Sequence, residues 1–120
     1  MKVAVTAQEK ELGGRIDPRF GRAKFLIVVD TDTDDYEIHD NTVNFNATQG
    51  AGIQTGQNIV NLNVEAVVTG NVGPNAFRTL HAANIRVFLT EKQTVQEAID
   101  SFKADRLKEV DRASVEGHWI

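Results

Sequence analysis

Residues 65–89 read EAVVTGNVGPNAFRTLHAANIRVFL, and the order of signals within them decides the fold. Glu65 to Thr69 is a short strand-type run and Gly70-Asn71-Val72-Gly73 a turn-forming connection. Pro74 stands where a first helical residue belongs, because its missing N–H costs nothing there. Ala76, Phe77, Leu80 and Ala83 then fall on one helical stripe, Asn84 is placed to cap the helix C-terminus, and Ile85 to Leu89 is a second strand. Strand, helix and strand in this order are the pattern of parallel strands joined by a crossover.

Upstream, Gly50 to about Leu62 reads as a helix with Ile53, Ile59 and Val60 on its apolar face, while Gly52 and Gly56 permit close backbone packing. Downstream, Thr94-Val95-Gln96-Glu97 is a capping-box sequence opening a helix that turns Val95, Ala98, Ile99 and Phe102 inward. Lys2 to Ala7 alternates through Val3, Val5 and Ala7 with a small Ala4 between, which suits a central strand covered on both faces. Lys24 to Asp30 and Tyr36 to Asp40 flank the polar connection Thr31 to Asp35 and predict an antiparallel hairpin. The expected order is β-β-β-α-β-α-β-α: a mixed sheet of about five strands between helices on both faces. After Lys103 the pattern fades into a tail, 104–120, which ends Gly117-His118-Trp119-Ile120. A Trp and an Ile in that position predict docking on this chain or a neighbour.

At 120 residues, with 41% hydrophobic and 25% charged, the chain has room for one domain, 1–120. It has no cysteine, which excludes disulfides, thiolate zinc sites, Cys-ligated iron–sulfur clusters and a cysteine nucleophile. The longest apolar run, Phe25 to Val29, is far short of the about twenty residues of a membrane span. No apolar signal segment precedes Lys2, so the expected compartment is the cytoplasm. A formal charge of −4 argues against a nucleic-acid-binding surface. Residues 12–24 nevertheless hold Arg15, Arg19, Arg22 and Lys24 against Asp17 alone, a local +3 that leaves −7 for the rest.

Ligands of open α/β sheets bind beyond the carboxyl ends of the parallel strands, so the connections leaving those ends carry the candidates. The first is Gly13-Gly14-Arg15-Ile16-Asp17-Pro18-Arg19-Phe20-Gly21-Arg22, where guanidiniums suited to bidentate oxyanion contact stand on flexible backbone. The second, Gly70 to Asn75, delivers amide N–H groups at a helix N-terminus, where anions are favoured, and Gly50-Ala51-Gly52 opens another helix in the same way. The plainer reading makes the glycines turn residues and the arginines a solvated rim. Together, a basic loop and two glycine-opened helices in an acidic chain point to an anion site. Neither glycine run has the spacing of a dinucleotide fingerprint or a P-loop.

Asp30-x-Asp32-x-Asp34 begins like a calcium loop, but Asp35 and Asn41 stand where Gly and Glu are required, so it reads as a hairpin turn. His39, His81 and His118 are far apart and lack zinc-protease spacing. His81, one turn beyond Phe77, and His118, between Gly117 and Trp119, are the candidate metal contacts. Ser101 and Ser114 do not sit on a strand-to-helix elbow, and the first strand has no carboxylate for metal-dependent hydrolysis, so catalysis is not expected.

In this order and spacing, Asp17-x-Arg19-Phe20-Gly21-Arg22-Ala23, Gly50-Ala51-Gly52, and Gly70-x-x-Gly73-Pro74-Asn75-Ala76 with Leu80 and Ile85-x-Val87 resemble the dinitrogenase iron–molybdenum cofactor biosynthesis family. The resemblance covers nearly the whole chain. It implies a three-layer α/β/α, ribonuclease-H-like fold with a mixed five-stranded sheet, and non-enzymatic binding of an anionic metal–sulfur cluster. Cofactor-carrying members often have His immediately before the Phe-Gly of the first loop, where this chain has Arg19. The family also includes the orange protein of sulfate reducers, which holds a molybdenum–copper sulfide cluster without covalent attachment, and a cysteine-free chain with a basic loop is similar to that arrangement.

The expected function is therefore binding, storage or transfer of a pre-assembled, non-covalently held anionic cluster of Mo–Cu sulfide or Fe–Mo type. Arg15, Arg19 and Arg22 would supply charge, with Phe20 and Gly21 completing the loop. Amides near Gly50, Gly52, Gly73 and Asn75 would donate hydrogen bonds, and His81 or His118 would contact metal. Expected partners are cluster donor or acceptor proteins, an ATPase among them, and neither nucleic acid nor membrane. The alternative is an interaction module of the same fold that partners an ATPase or another assembly protein; a third reading is a site for a phosphorylated metabolite.

Overall fold

A computed structural model describes residues 1–47 and 49–115. Its sheet is built from β1 (Lys2–Ala7), β2 (Phe25–Asp30), β3 (Tyr36–Asp40), β4 (Ala66–Thr69), β5 (Arg86–Leu89) and β6 (Lys108–Val110) in the spatial order β3-β2-β1-β4-β5-β6. β1, β4 and β5 are parallel, while β2, β3 and β6 pair antiparallel with their neighbours. The α-helices among the described residues are α1 (Thr42–Phe45), α2 (Ala51–Asn61), α3 (Pro74–Ala82) and α4 (Val95–Lys103).

The alternation in β1 has the expected consequence. Val3, Val5 and Ala7 belong to an apolar layer with Ile27, Val68, Val95, Ala98 and Ile99 of α4's face. Ala4 belongs to the opposite layer, with Phe20, Leu26, Val67, Ile59 of α2 and Ala76 and Leu80 of α3. Helices thus cover both faces: α2 and α3 on one, α4 on the other.

Two details depart from expectation. Among the described residues the sheet has six strands rather than five, because the tail returns along β5 and pairs Leu89 with Lys108 and Val87 with Val110. Two charged residues among three hide this strand from any hydrophobic pattern; partner pairing and the Arg86–Glu109 ion pair at 2.7 Å hold it instead. Ile53, read as part of the apolar face of α2, is 45% exposed, while Ala51, Thr55, Gly56 and Ile59 are buried. Gly56 lets α2 approach α3, since a Cβ there would lie 3.0 Å from the Thr79 methyl.

α2 leads into the amino end of β4, α3 joins β4 to β5, and α4 leaves the carboxyl end of β5. All three helix N-termini therefore lie at the carboxyl edge of the parallel strands, the edge from which the basic loop also departs.

Candidate functional site

Leaving β1, the chain folds back on itself: Gln8 donates to the Arg15 carbonyl at 2.9 Å, Ile16 to Gln93 at 2.9 Å and Asp17 to Thr6 at 2.9 Å. This first half packs Leu12 and Ile16 into the α4-side layer, whereas Phe20 and Ala23 enter the opposite layer, so the loop crosses over the sheet's carboxyl edge. The buried Thr6 hydroxyl pins the crossing. It donates to the Asp17 carbonyl at 2.7 Å and lies 2.8 Å from the Thr69 hydroxyl at the matching end of β4.

Asp17 is 1% exposed. Its carboxylate accepts the Arg19 amide N–H at 3.0 Å and stands 3.6 Å from Arg19 Nε. Burial raises its pKa above the ordinary carboxylate value, and the Arg19 amide and guanidinium oppose that shift. Next to it, Asn71 donates to the Pro18 carbonyl at 2.8 Å and accepts from the Phe20 amide at 3.2 Å, a short parallel bridge between the basic loop and the loop after β4. A Cβ on Gly70 would lie 2.7 Å from Pro18 Cα, and one on Gly21 would lie 2.8 Å from the amide nitrogen of Gly52. The three segments marked in the sequence therefore meet, and at two contacts only glycine allows it.

A buried polar network fixes this meeting point. Thr55 donates to the Gly21 carbonyl at 3.0 Å, and Nδ2 of the Asn41 side chain donates to the Ala23 carbonyl at 2.8 Å and to Thr55 Oγ1 at 3.0 Å. Asn41 Oδ1 in turn accepts from the side-chain Nδ2 of Asn44 and of Asn58, each at 2.9 Å. These residues gave no sequence signal, since isolated Asn and Thr are common in turns. Thr6 and Thr69 were detectable in principle, as polar β-branched residues at the carboxyl ends of two parallel strands.

The arginines are divided among different tasks. Arg15 is exposed, pairs with Glu9 at 3.2 Å and bridges by backbone to Thr94 at the start of α4. Arg19 lies beside Asp17 with 43% of its side chain exposed. Arg22 donates to the carbonyls of Phe45 and Ala47, tying down the segment that leads into α2. Phe20 is fully buried and anchors the loop. Gly50, at φ 77°, forms the left-handed entry to α2, and the buried Gly73 caps α3 with the exposed Asn75 in its first turn.

His81 stacks on Phe77 at 5.6 Å near the far end of α3, about 10 Å along the helix from Pro74, so the structure does not bring it to the loop cluster. His118, with Gly117, Trp119 and Ile120, lies outside the described residues. Before that point the tail docks on the loop after β4: Ser114 donates its amide to the Val72 carbonyl and accepts the Val72 amide on Oγ, both at 2.9 Å. Among the described residues no three His, Asp or Glu side chains converge as a metal-binding group. The donor set fits an anion cradled by amide N–H groups and guanidinium charge.

The family model described as dinitrogenase iron-molybdenum cofactor matches residues 1–105. The apo form of the orange protein from Desulfovibrio gigas is 36% identical with a TM-score of 0.91, over 95% of this chain and 96% of that one. A Thermotoga protein provisionally described as a NifB protein is 39% identical with a TM-score of 0.83, over 97% and 98% of the two chains. An uncharacterized protein of Methanocaldococcus jannaschii is 27% identical over 111 residues, 90% of each. The chain belongs to the dinitrogenase iron–molybdenum cofactor family.

Proposed function

We propose that this chain is a non-enzymatic carrier that receives, stores or passes on a pre-assembled anionic molybdenum-containing sulfide cluster, of Mo–Cu or Fe–Mo type. The observation that carries the reading is the closure of Pro18–Gly21 onto both Gly52 and Asn71, which sets the N-termini of α2 and α3 beside one basic loop. Helix N-termini present amide donors without intrahelical partners and favour negative charge. Arg19 is the loop arginine with its guanidinium partly open to solvent at this junction; Arg15 adds charge from the α4 side, and Arg22 holds the frame. Family membership and likeness to an apo orange protein support the same reading.

The cargo is cradled rather than ligated, so uptake needs no chemistry from the chain beyond charge and hydrogen bonding. Anaerobic incubation with tetrathiomolybdate, with and without copper, followed by gel filtration, visible spectroscopy and metal analysis tests this. The expected result is a coloured, stoichiometric species that co-elutes with the protein and is lost in Arg19→Glu. A colourless, metal-free protein peak overturns the Mo–Cu form of the proposal.

The docking of Ser114 on Val72 favours a second reading, in which the tail displays a surface to a donor, an acceptor or an ATPase. Deleting residues 114–120 separates the two: cluster uptake retained with loss of a captured assembly partner supports the interaction module.

A further inference from the structure

β3 is a lateral edge of the sheet: β2 pairs with one side of it and, among the described residues, no strand pairs with the other. Asp35 accepts from the Asp30 amide at 2.9 Å and Asn41 donates to the Lys24 carbonyl at 2.8 Å. Bonding alternates along an antiparallel strand, so Glu37 and His39 also bond toward β2, while Tyr36, Ile38 and Asp40 turn their N–H and C=O groups outward. The devices that commonly blunt such an edge are absent from it. Residues 36–40 hold neither Pro nor Lys, their register with β2 runs without a bulge, and α1, which follows, lies against α2.

The same strand carries exposed apolar side chains. Tyr36 is 47% exposed, Ile38 37% and Val43, just beyond the strand, 78%; the other large apolar side chain so exposed among the described residues is Ile53. Tyr36 and Ile38 stand opposite Val29 and Ile27, so they extend the α4-side layer past β2 into solvent. Glu37 and His39 stand opposite Val28 and Leu26 of the other layer and project on that face, where His39 Nε2 lies 3.1 Å from the Glu37 carboxylate.

The order of these side chains selects an occupant. Tyr36-Glu37-Ile38-His39-Asp40 complements itself when a second copy is laid antiparallel with the two-fold axis at Ile38. Ile38 then meets Ile38, each Glu37 meets a His39, and each Tyr36 phenol meets an Asp40 carboxylate that can accept from it. Other centres lose this: Glu37 or Asp40 sets like carboxylates face to face, Tyr36 sets Asp35 against Glu37, and His39 sets imidazole against imidazole. The backbone agrees with the Ile38 register, because the residues whose N–H and C=O groups point outward are the ones that fall opposite one another as hydrogen-bonded pairs.

We propose that β3 is a homodimerisation edge, on which a second copy of this chain pairs its own β3 antiparallel about Ile38 and joins the two sheets into one. The interface is isologous, so pairing consumes the edge and assembly stops at two. The strands of the two copies run in opposite directions, which leaves the two loop clusters at opposite ends of the joined sheet, neither covered by the other copy. The inference is independent of what the loop cluster binds.

Sedimentation velocity of the full chain between about 5 µM and about 500 µM tests it, with a monomer–dimer equilibrium expected in that range for a pairing of so few residues. Glu37→Lys, which sets Lys against the second copy's His39, should weaken the dimer about tenfold, and adding His39→Glu should restore it to within about threefold of wild type. Thermal unfolding checks that each variant is folded. The absence of cysteine from the chain permits a test of register. Hydrogen-bonded antiparallel partners stand about 5.5 Å apart at Cα, within disulfide reach, so Ile38→Cys should cross-link to itself on oxidation. In Tyr36→Cys the two sulfurs belong to residues offset by about 13 Å along the strands and should not cross-link. A chain that stays monomeric at about 500 µM overturns the proposal and leaves the edge to an extended segment of another protein. Growth beyond two copies overturns it as well, as does cross-linking of Tyr36→Cys as readily as Ile38→Cys.

Discussion

At the scale of single residues, the loops close on one another through what is missing as much as through what is present. A methyl group on Gly21 would meet the backbone of Gly52, and one on Gly70 the backbone of Pro18, neither of which can swing aside. Gly21→Ala and Gly70→Ala are each expected to cost about 1–3 kcal/mol in urea unfolding. Gly13→Ala, in the same loop with nothing within 4 Å of the new carbon, should change stability by less than about 0.5 kcal/mol. Asp17 makes a prediction in pH. Its folded pKa is raised, chiefly by burial, above the ordinary 3.8. The native state therefore holds the proton more tightly than the unfolded chain, and the stability this contributes is complete below the unfolded value and lost as pH rises through the folded one. Asp17→Asn keeps an acceptor for the Arg19 amide but does not titrate. Its stability relative to wild type should therefore improve between about pH 4 and about pH 7, and equal differences at both would refute the assignment.

At the scale of elements, α4 was the most legible helix because its start is written locally. Thr94 Oγ1 accepts the Glu97 amide at 3.1 Å while the Glu97 carboxylate accepts the Thr94 amide at 3.1 Å, completing the capping box. Thr94→Ala is expected to cost about 1 kcal/mol, read as a shift in the denaturation midpoint with an unchanged slope. β1, β2 and β3 were legible for a similar reason, since alternation and the Asp-rich turn are contained in the segments themselves. The left-handed Asn84, at φ 60°, ends α3 where its side chain predicted a cap. β6 was not legible, because Lys108-Glu109-Val110 becomes a strand only by finding β5, and α1 is one turn that no periodicity can reveal. The glycine loops could be read from composition, but their convergence could not: it depends on Pro18 meeting Asn71 and Gly21 meeting Gly52 across more than thirty residues of chain. The tasks of the arginines were hidden too, since Glu9, Asp17 and the carbonyls of Phe45 and Ala47 are partners fixed by the fold.

At the scale of the molecule, charge is distributed against its own sum. A chain of net −4 would repel a small anion at long range, yet Arg15, Arg19, Lys92 and Arg106 on connections, with Lys108 at the start of β6, are gathered along one edge of the sheet, beside the N-termini of α2, α3 and α4. The opposite edge carries the β2–β3 turn with Asp30, Asp32, Asp34 and Asp35, partly neutralised by the N-terminal ammonium at 3.0 Å from Asp32. An approaching polyanion therefore meets a dipole-like molecule whose attractive end carries the proposed site. Such steering acts over distances that salt controls, with a screening length of about 10 Å at 0.1 M and about 3 Å at 1 M. The association rate for tetrathiomolybdate or pyrophosphate should fall by about tenfold or more across that range. Dissociation, governed by contacts a few ångströms long, should change far less. Stopped-flow measurement of the two rates at several salt concentrations checks this. A salt effect confined to dissociation would mean that the charged edge holds its ligand without drawing it in.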